Sequence, residues 1–162
     1  MKKIITYYLT LSPVFPSTHI RAGESTDFKI KMKAALVGTP CYLKKLHTIR
    51  ANYEFWRKRF EKIAAGEAVL SIREWVGKPY AEGSTQRELA LLTREDGIGI
   101  QKLGIYEDEP FPLVYADKYT TPVAWRELAG NDGLSLEDWQ DWFKGYDLSK
   151  PLAIIHFTNF RY

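Results

Sequence analysis

The sequence predicts an α+β domain built around a curved or closed sheet. Three observations carry this expectation. Segments rich in β-branched and aromatic residues stand at both ends of the chain, and amphipathic helical stretches lie between them. No internal repeat and no Pro/Gly/Ser-rich linker divides the 162 residues, a length that suits one domain over 1–162 with a core of its own.

The elements follow in order. Ile4 to Leu11 reads as the first strand, and Pro13, Pro16 and Gly23 mark a loop after it. Ser25 or Thr26 can cap a helix reaching about Val37, with Phe28, Met32 and Leu36 on one face. Phe28 to Lys33 also alternates with period two, so a strand stays open there. Gly38 to Lys45 is a loop leading into a short strand, Leu46 to Arg50. Asn52 then caps a helix that ends near Gly66. Its Tyr53, Trp56, Phe60 and Ile63 form an apolar stripe, and Arg57, Lys58, Arg59 and Lys62 occupy the remaining surface. Ala68 to Val76 alternates as a strand, with Val69, Ser71, Arg73 and Trp75 on one face and Leu70, Ile72 and Glu74 on the other.

Arg87 to Thr93 and Ile98 to Tyr106 read as a hairpin closed around Asp96-Gly97. The acidic stretch Glu107 to Pro112 is a loop, and Pro122 can start a short helix reaching about Ala129. Ser135 with Asp138 makes a capping-box-like pair, and Leu134 with Trp139 has the spacing of a hydrophobic staple. That predicts a helix running through Trp142 and Phe143 towards Gly145. Leu152 to Phe160 is an apolar, alternating last strand.

Composition excludes several classes. An apolar fraction of 45% with 14% aromatics argues against disorder. No apolar run approaches the roughly 20 residues that a membrane span needs. Met1 to Tyr7 resembles the start of a signal peptide, but Thr10, Ser12 and Pro13 interrupt it, and a strand is the better reading. Cys41 is the sole cysteine, so neither an intrachain disulfide nor a thiolate metal cluster is expected, and cytoplasmic residence follows by default. His19, His47, His156 and Cys41 show no metal-ligand spacing, so no metal or other cofactor is expected.

The net charge of +3 hides an asymmetry. Residues 1–78 carry 15 Lys/Arg against 6 Asp/Glu, while residues 79–162 carry 8 against 14. A basic half points to phosphates or nucleic acid, or to pairing between the two halves.

The chemistry concentrates in Lys45-Leu46-His47-Thr48-Ile49-Arg50. In an extended segment Lys45, His47 and Ile49 point one way and Leu46, Thr48 and Arg50 the other, so Lys45 must bend out of register to approach Thr48. A desolvated lysine can accept the proton of a threonine hydroxyl and make it nucleophilic. Equally, Thr48 can be an ordinary β-former and Lys45 a solvated charge.

The order of elements, with Lys45-x-x-Thr48-x-Arg50, Gly66-Glu67-Ala68-Val69-Leu70-Ser71-Ile72-Arg73 and Asn131-Asp132-Gly133-Leu134-Ser135, resembles the ASCH family of the PUA-like superfamily. The resemblance covers residues 4–10 and 28–162 in outline and these short segments in sequence. It implies an α+β, PUA-like fold: a small β-barrel, curved or closed, with flanking helices. It also implies a site for RNA or a modified nucleotide. In that reading Arg50, Arg73 and Lys78 contact phosphates, Lys44 and the helix 52–65 basics form an outer ring, and Trp75 or Tyr80 stacks on a base. A strand tryptophan such as Trp75 is, however, more often core.

The family's amidohydrolase branch cleaves acyl groups from N4-acylated cytidine with a lysine, a threonine and a glutamate. Carried over, these positions are Lys45, Thr48 and Asp132. Asp stands where the branch has Glu, and Leu43 and Lys44 stand where it has glycine before the lysine. Asp132-Gly133 before a capped helix is also a good turn without any function. A third reading is an interaction protein that docks its basic helix 52–65 on an acidic partner.

Overall fold

The computed structural model describes residues 2–39 and 44–162, so Cys41 and Leu43 lie outside the described residues. In chain order the elements are β1 (Ile5–Thr10), α1 (Phe28–Leu36), β2 (His47–Arg50), α2 (Tyr53–Ala64), β3 (Ala68–Val76) and β4 (Thr85–Leu92). They continue with β5 (Gly99–Gly104), β6 (Leu113–Tyr115), β7 (Thr120–Pro122), α3 (Trp125–Asn131), α4 (Leu136–Phe143) and β8 (Leu152–His156).

The α+β class holds, but the strands do not close into a barrel. They form a three-stranded sheet, β1-β3-β4, and a five-stranded sheet, β2-β8-β5-β6-β7. The hairpin expected from Arg87 to Tyr106 is not formed. Strand β4 pairs with β3, whereas β5 pairs with β8 and β6. The Asp96-Gly97 signal is real but belongs to a one-turn 3-10 helix, Arg94–Asp96, capped by Thr93, whose hydroxyl accepts from Glu95 N while Asp96 accepts from Thr93 N. Gly97 closes that turn at φ 78, and a Cβ there would sit 2.9 Å from Asn159 Cβ. The capped turn redirects the chain from one sheet into the other.

Two more expectations are corrected. Pro122 ends β7 opposite Leu113 and does not begin a helix; α3 starts at Trp125. Proline is tolerated there because β7 is an edge strand. Strand β8 ends at His156 and is buried along its whole length between β2 and β5. With both faces covered, its apolar residues run continuously instead of alternating.

The ambiguous Phe28 segment is a helix. Phe28, Met32 and Ala35 are buried at helical spacing, and Ile30 is left 69% exposed. Neither Ser25 nor Thr26 is the cap residue: Asp27 holds that place at φ 56. Thr26 still ties the helix start to the end of β1, donating to Ser12 O at 2.7 Å and accepting from Phe28 N at 3.3 Å. Asn52 caps α2 through its side-chain oxygen and Phe55 N, and Trp56, Phe60 and Ile63 face inward. Ser135 caps α4 by accepting from Asp138 N at 3.1 Å. The Asp138 carboxylate completes no box; it turns to Arg21.

That ion pair belongs to a strap. The loop after β1 lies along α4: Arg21 Nη1 donates to Asp138 Oδ2 at 2.7 Å, Ile20 N donates to Asp141 Oδ2 at 2.7 Å, and His19 Nε2 donates to Asp138 O at 3.0 Å. One buried apolar cluster then runs from Leu9, Leu70 and Ile72 past the α2 stripe to Leu103, Val114, Ile154 and Ile155. Among the described residues no helix is long and apolar enough to cross a membrane.

Candidate functional site

Lys45 stands just before β2, and its backbone is held from two sides. Its N–H donates to Lys31 O of α1 at 3.0 Å, and the next residue, Leu46, donates to Asn131 O of α3 at 2.8 Å. These bonds fix the bend out of strand register. Lys45 therefore lines the same cleft as Thr48 and Arg50, the residues on the other face of the extended segment.

Asp132 reaches the cleft as the residue that ends α3. Lys45 Nζ donates to its Oδ1 at 2.7 Å and to its main-chain oxygen at 2.6 Å. It also sits 4.0 Å from the centre of the Phe28 ring. Lys45 is 1% exposed and Asp132 is 3% exposed. The cation thus satisfies a helix C-terminus, a carboxylate and an aromatic face at once. Burial lowers the lysine from its ordinary range while Asp132 opposes that shift. Burial raises Asp132 while Lys45 opposes that. Desolvation pushes both members towards neutrality, the direction that a proton shift from ammonium to carboxylate satisfies.

Gly133, at φ 81, lets the chain turn directly behind the pair. A Cβ there would lie 3.2 Å from Lys45 Cβ. Lys31 Nζ donates to Gly133 O at 2.8 Å, so α1 clamps the same turn.

The cleft measures about 70 Å³, and Thr10, Ser12, Phe28, Lys45, Thr48, Arg50 and Asp132 line it together with Trp142 and Phe143 of α4. Its mix of polar and aromatic lining residues suits a small, flat polar group. Space on this order holds a few waters and is well below the several hundred Å³ that enclose a whole organic ligand. Thr48 is 5% exposed and lines the cleft.

Lys45, Thr48, Asp132 and Arg50 therefore come together, and the remaining expected residues do not. Arg73 lies on the outward face of the three-stranded sheet, its guanidinium 4.5 Å from the Tyr8 ring. Trp75 shares that face and is not core: it is half-buried, with its ring 4.9 Å from that of Tyr80. The face adjoins the cleft, since Arg73 pairs in register with Thr10, one of the cleft's lining residues. Lys78 is exposed in the loop after β3, and Lys44 is half-buried before Lys45; neither lines the cleft. On α2, Arg57 is taken up by Glu54 and Glu61, and Arg59 stacks over Phe55, which reduces the positive face the helix offers.

Sequence reasoning missed the polar network behind the site. Asn131 Nδ2 donates to Tyr162 Oη at 2.9 Å, and that hydroxyl shares a 2.7 Å hydrogen bond with His47 Nε2. Gln101 Oε1 accepts from His156 Nε2 at 2.9 Å and from Tyr162 N at 3.0 Å. Burial takes His47 well below the usual histidine range and His156 to about 3, so both rings are neutral at pH 7. The cross-strand pairing of His47 with His156 makes this network possible, and no local spacing announces it.

No protein-family model matches the chain, and no curated protein or solved structure matches it either.

Proposed function

We propose that this chain is a PUA-like, ASCH-type amidohydrolase whose cleft takes the acyl-amide end of an N4-acylated cytidine or a similar modified nucleoside. The observation that carries the reading is the convergence of the buried Lys45–Asp132 pair with Thr48 on one narrow, aromatic-walled cleft. An acyl amide is flat and polar and fits such a cleft, with the sugar left outside.

In this reading Lys45 passes a proton to Asp132 and becomes a neutral amine. The amine takes the Thr48 hydroxyl proton as Oγ1 bonds to the amide carbon. The C–N bond then breaks, and the nitrogen leaves with the proton returned by Lys45. Water cleaves the threonyl ester and releases the carboxylic acid, restoring the hydroxyl. The shorter reach of an aspartate is compensated by its place at the helix end, where Lys45 meets both its carboxylate and its carbonyl.

The test is acetate release from N4-acetylcytidine by the purified chain. Thr48→Ala should lower turnover on the order of 1,000-fold or more while the fold stays intact. No release above background across a panel of acylated nucleosides would refute the reading.

A second reading, RNA or nucleotide binding without chemistry, is favoured by the outward pairs Arg73–Tyr8 and Trp75–Tyr80 beside the cleft. Stacking on one such ring contributes about 1–3 kcal/mol per base. RNA affinity should then fall with salt and weaken in Arg73→Ala and Trp75→Ala. Affinity indifferent to both substitutions would remove that face from the site.

A further inference from the structure

We infer that Arg50 is an oxyanion seat: the cleft takes a terminal carboxylate or phosphate of its ligand, end-on, against the open edge of this guanidinium. The inference rests on the cleft being the ligand site proposed above but not on the reaction there: an anionic end group seated on Arg50 takes the place of the acyl amide.

Arg50 closes β2, and its side chain lines the cleft. One terminal nitrogen, Nη2, donates to Thr10 O at 2.6 Å. Its Nε is buried and has no hydrogen-bond partner among the described residues. No carboxylate lies within ion-pair distance of it, although every Asp and Glu of the chain is among the described residues. Lys45, by contrast, has Asp132, Arg21 has Asp138, and Arg87 has Glu74.

Arg50 is half-buried, and an arginine cannot relieve a partly desolvated, uncompensated charge by losing its proton, as a lysine can. The remaining relief is an anion with two acceptor oxygens, the geometry that a guanidinium edge binds best. Thr10, Ser12 and Thr48 line the same cleft, so its wall near Arg50 carries short polar residues. Burial lowers Arg50 from the ordinary arginine range; Tyr146 and Asp132 oppose that shift, and the Asp132 carboxylate is already paired with Lys45.

The size of the cleft sharpens the ligand class. A space of about 70 Å³ admits a carboxylate or a terminal phosphate but not a phosphodiester with a ribose on either side. Arg50 therefore selects an end group and does not track a polynucleotide backbone. The carboxylate source would be an acyl chain that ends in an acid; the phosphate source would be a nucleoside monophosphate.

The experiment follows the Arg50 Nε–H resonance of the intact chain by nitrogen-edited NMR, at constant ionic strength held with chloride. Inorganic phosphate and acetate are the probes. Each should move the resonance saturably, with at least tenfold weaker binding in Arg50→Lys, which keeps the charge but loses the fork. Two matched sets then separate the sources. Cytidine 5′-monophosphate should bind at least tenfold tighter than cytidine, and tighter than cytidylyl-cytidine without a terminal phosphate, if the end group is phosphate. Succinamate should exceed neutral succinamide by a similar factor if it is a carboxylate.

A resonance that no anion moves, or equal binding within both matched sets, overturns the seat. So does unchanged phosphate binding in a folded Arg50→Gln variant. If that variant fails to fold, Arg50→Lys decides alone. Anion binding by the parent chain without amide turnover refutes the hydrolase and leaves the seat standing. Turnover without anion binding does the reverse.

Discussion

Replacing Asp132 by asparagine tests the energetic centre of the molecule with almost no change in shape. The substitution removes the carboxylate charge from a pair in which Lys45 and Asp132 side chains are 1% and 4% exposed. At 2.7 Å and an effective dielectric constant near 20, their attraction is about 6 kcal/mol. Lys45 keeps its bond to the Asp132 carbonyl and its contact with Phe28, which offset part of the loss. Breaking one side of a buried pair typically destabilises by about 3–5 kcal/mol, and that is the expected loss at pH 7. For a chain of this size it corresponds to a melting-temperature drop of roughly 6–20 °C.

The pH dependence gives a second reading of the same variant. Without its countercharge Lys45 loses its proton in the folded state well before it does so in the unfolded chain. The unfolded state then binds more protons, so the variant gains stability as pH rises towards the unfolded lysine value of about 10.4. Urea unfolding at pH 7 and at about pH 9.5 measures both effects. A loss under about 1 kcal/mol at pH 7, or a deficit that does not shrink in base, would show that the lysine charge is not trapped. The double substitution Lys45→Met/Asp132→Leu should return to within about 1 kcal/mol of the parent, since apolar replacements of a buried pair are near neutral.

Three further outcomes are expected. His156, held at about 3, and His47, shifted the same way, are neutral in the fold but protonate in the unfolded chain below about 6.5. Stability present above that pH is lost as pH falls from about 6.5 towards 3, by up to about 1.4 kcal/mol per unit for each ring; in a His156→Gln variant the acid-side slope should be roughly halved, and an unchanged slope in urea titrations would refute this. Gly133→Ala, at φ 81 and against Lys45 Cβ, should destabilise by roughly 1–2 kcal/mol and lower any cleft activity; thermal unfolding at parental temperature would mean that the turn relaxes freely. Ser135→Ala should cost about 1 kcal/mol through the lost α4 cap, read as a lower urea midpoint at unchanged slope, and no midpoint shift would mean that the bond contributes nothing.

Which parts of this chain were readable in advance follows the range of the forces involved. The α2 and α4 caps, the inward stripe Trp56-Phe60-Ile63, and the split of β3 into two faces are set by residues a few positions apart. The sequence determined these, because caps and periodicity act within one or two turns. The sequence also drew attention to Lys45, Thr48 and Arg50, and the family resemblance to Asp132; the fold brings these four to one cleft and leaves Arg73, Trp75, Lys78 and Lys44 out of it. The tertiary structure alone decided that β4 and β5 part into different sheets, since each found a better-matched partner than its neighbour in sequence. It alone bent Lys45 towards Asp132, 87 residues away, and left the Arg50 Nε without a partner among the described residues. Pairing and desolvation depend on neighbours that only the folded chain supplies, and those two effects make a cleft out of residues whose types were legible from the start.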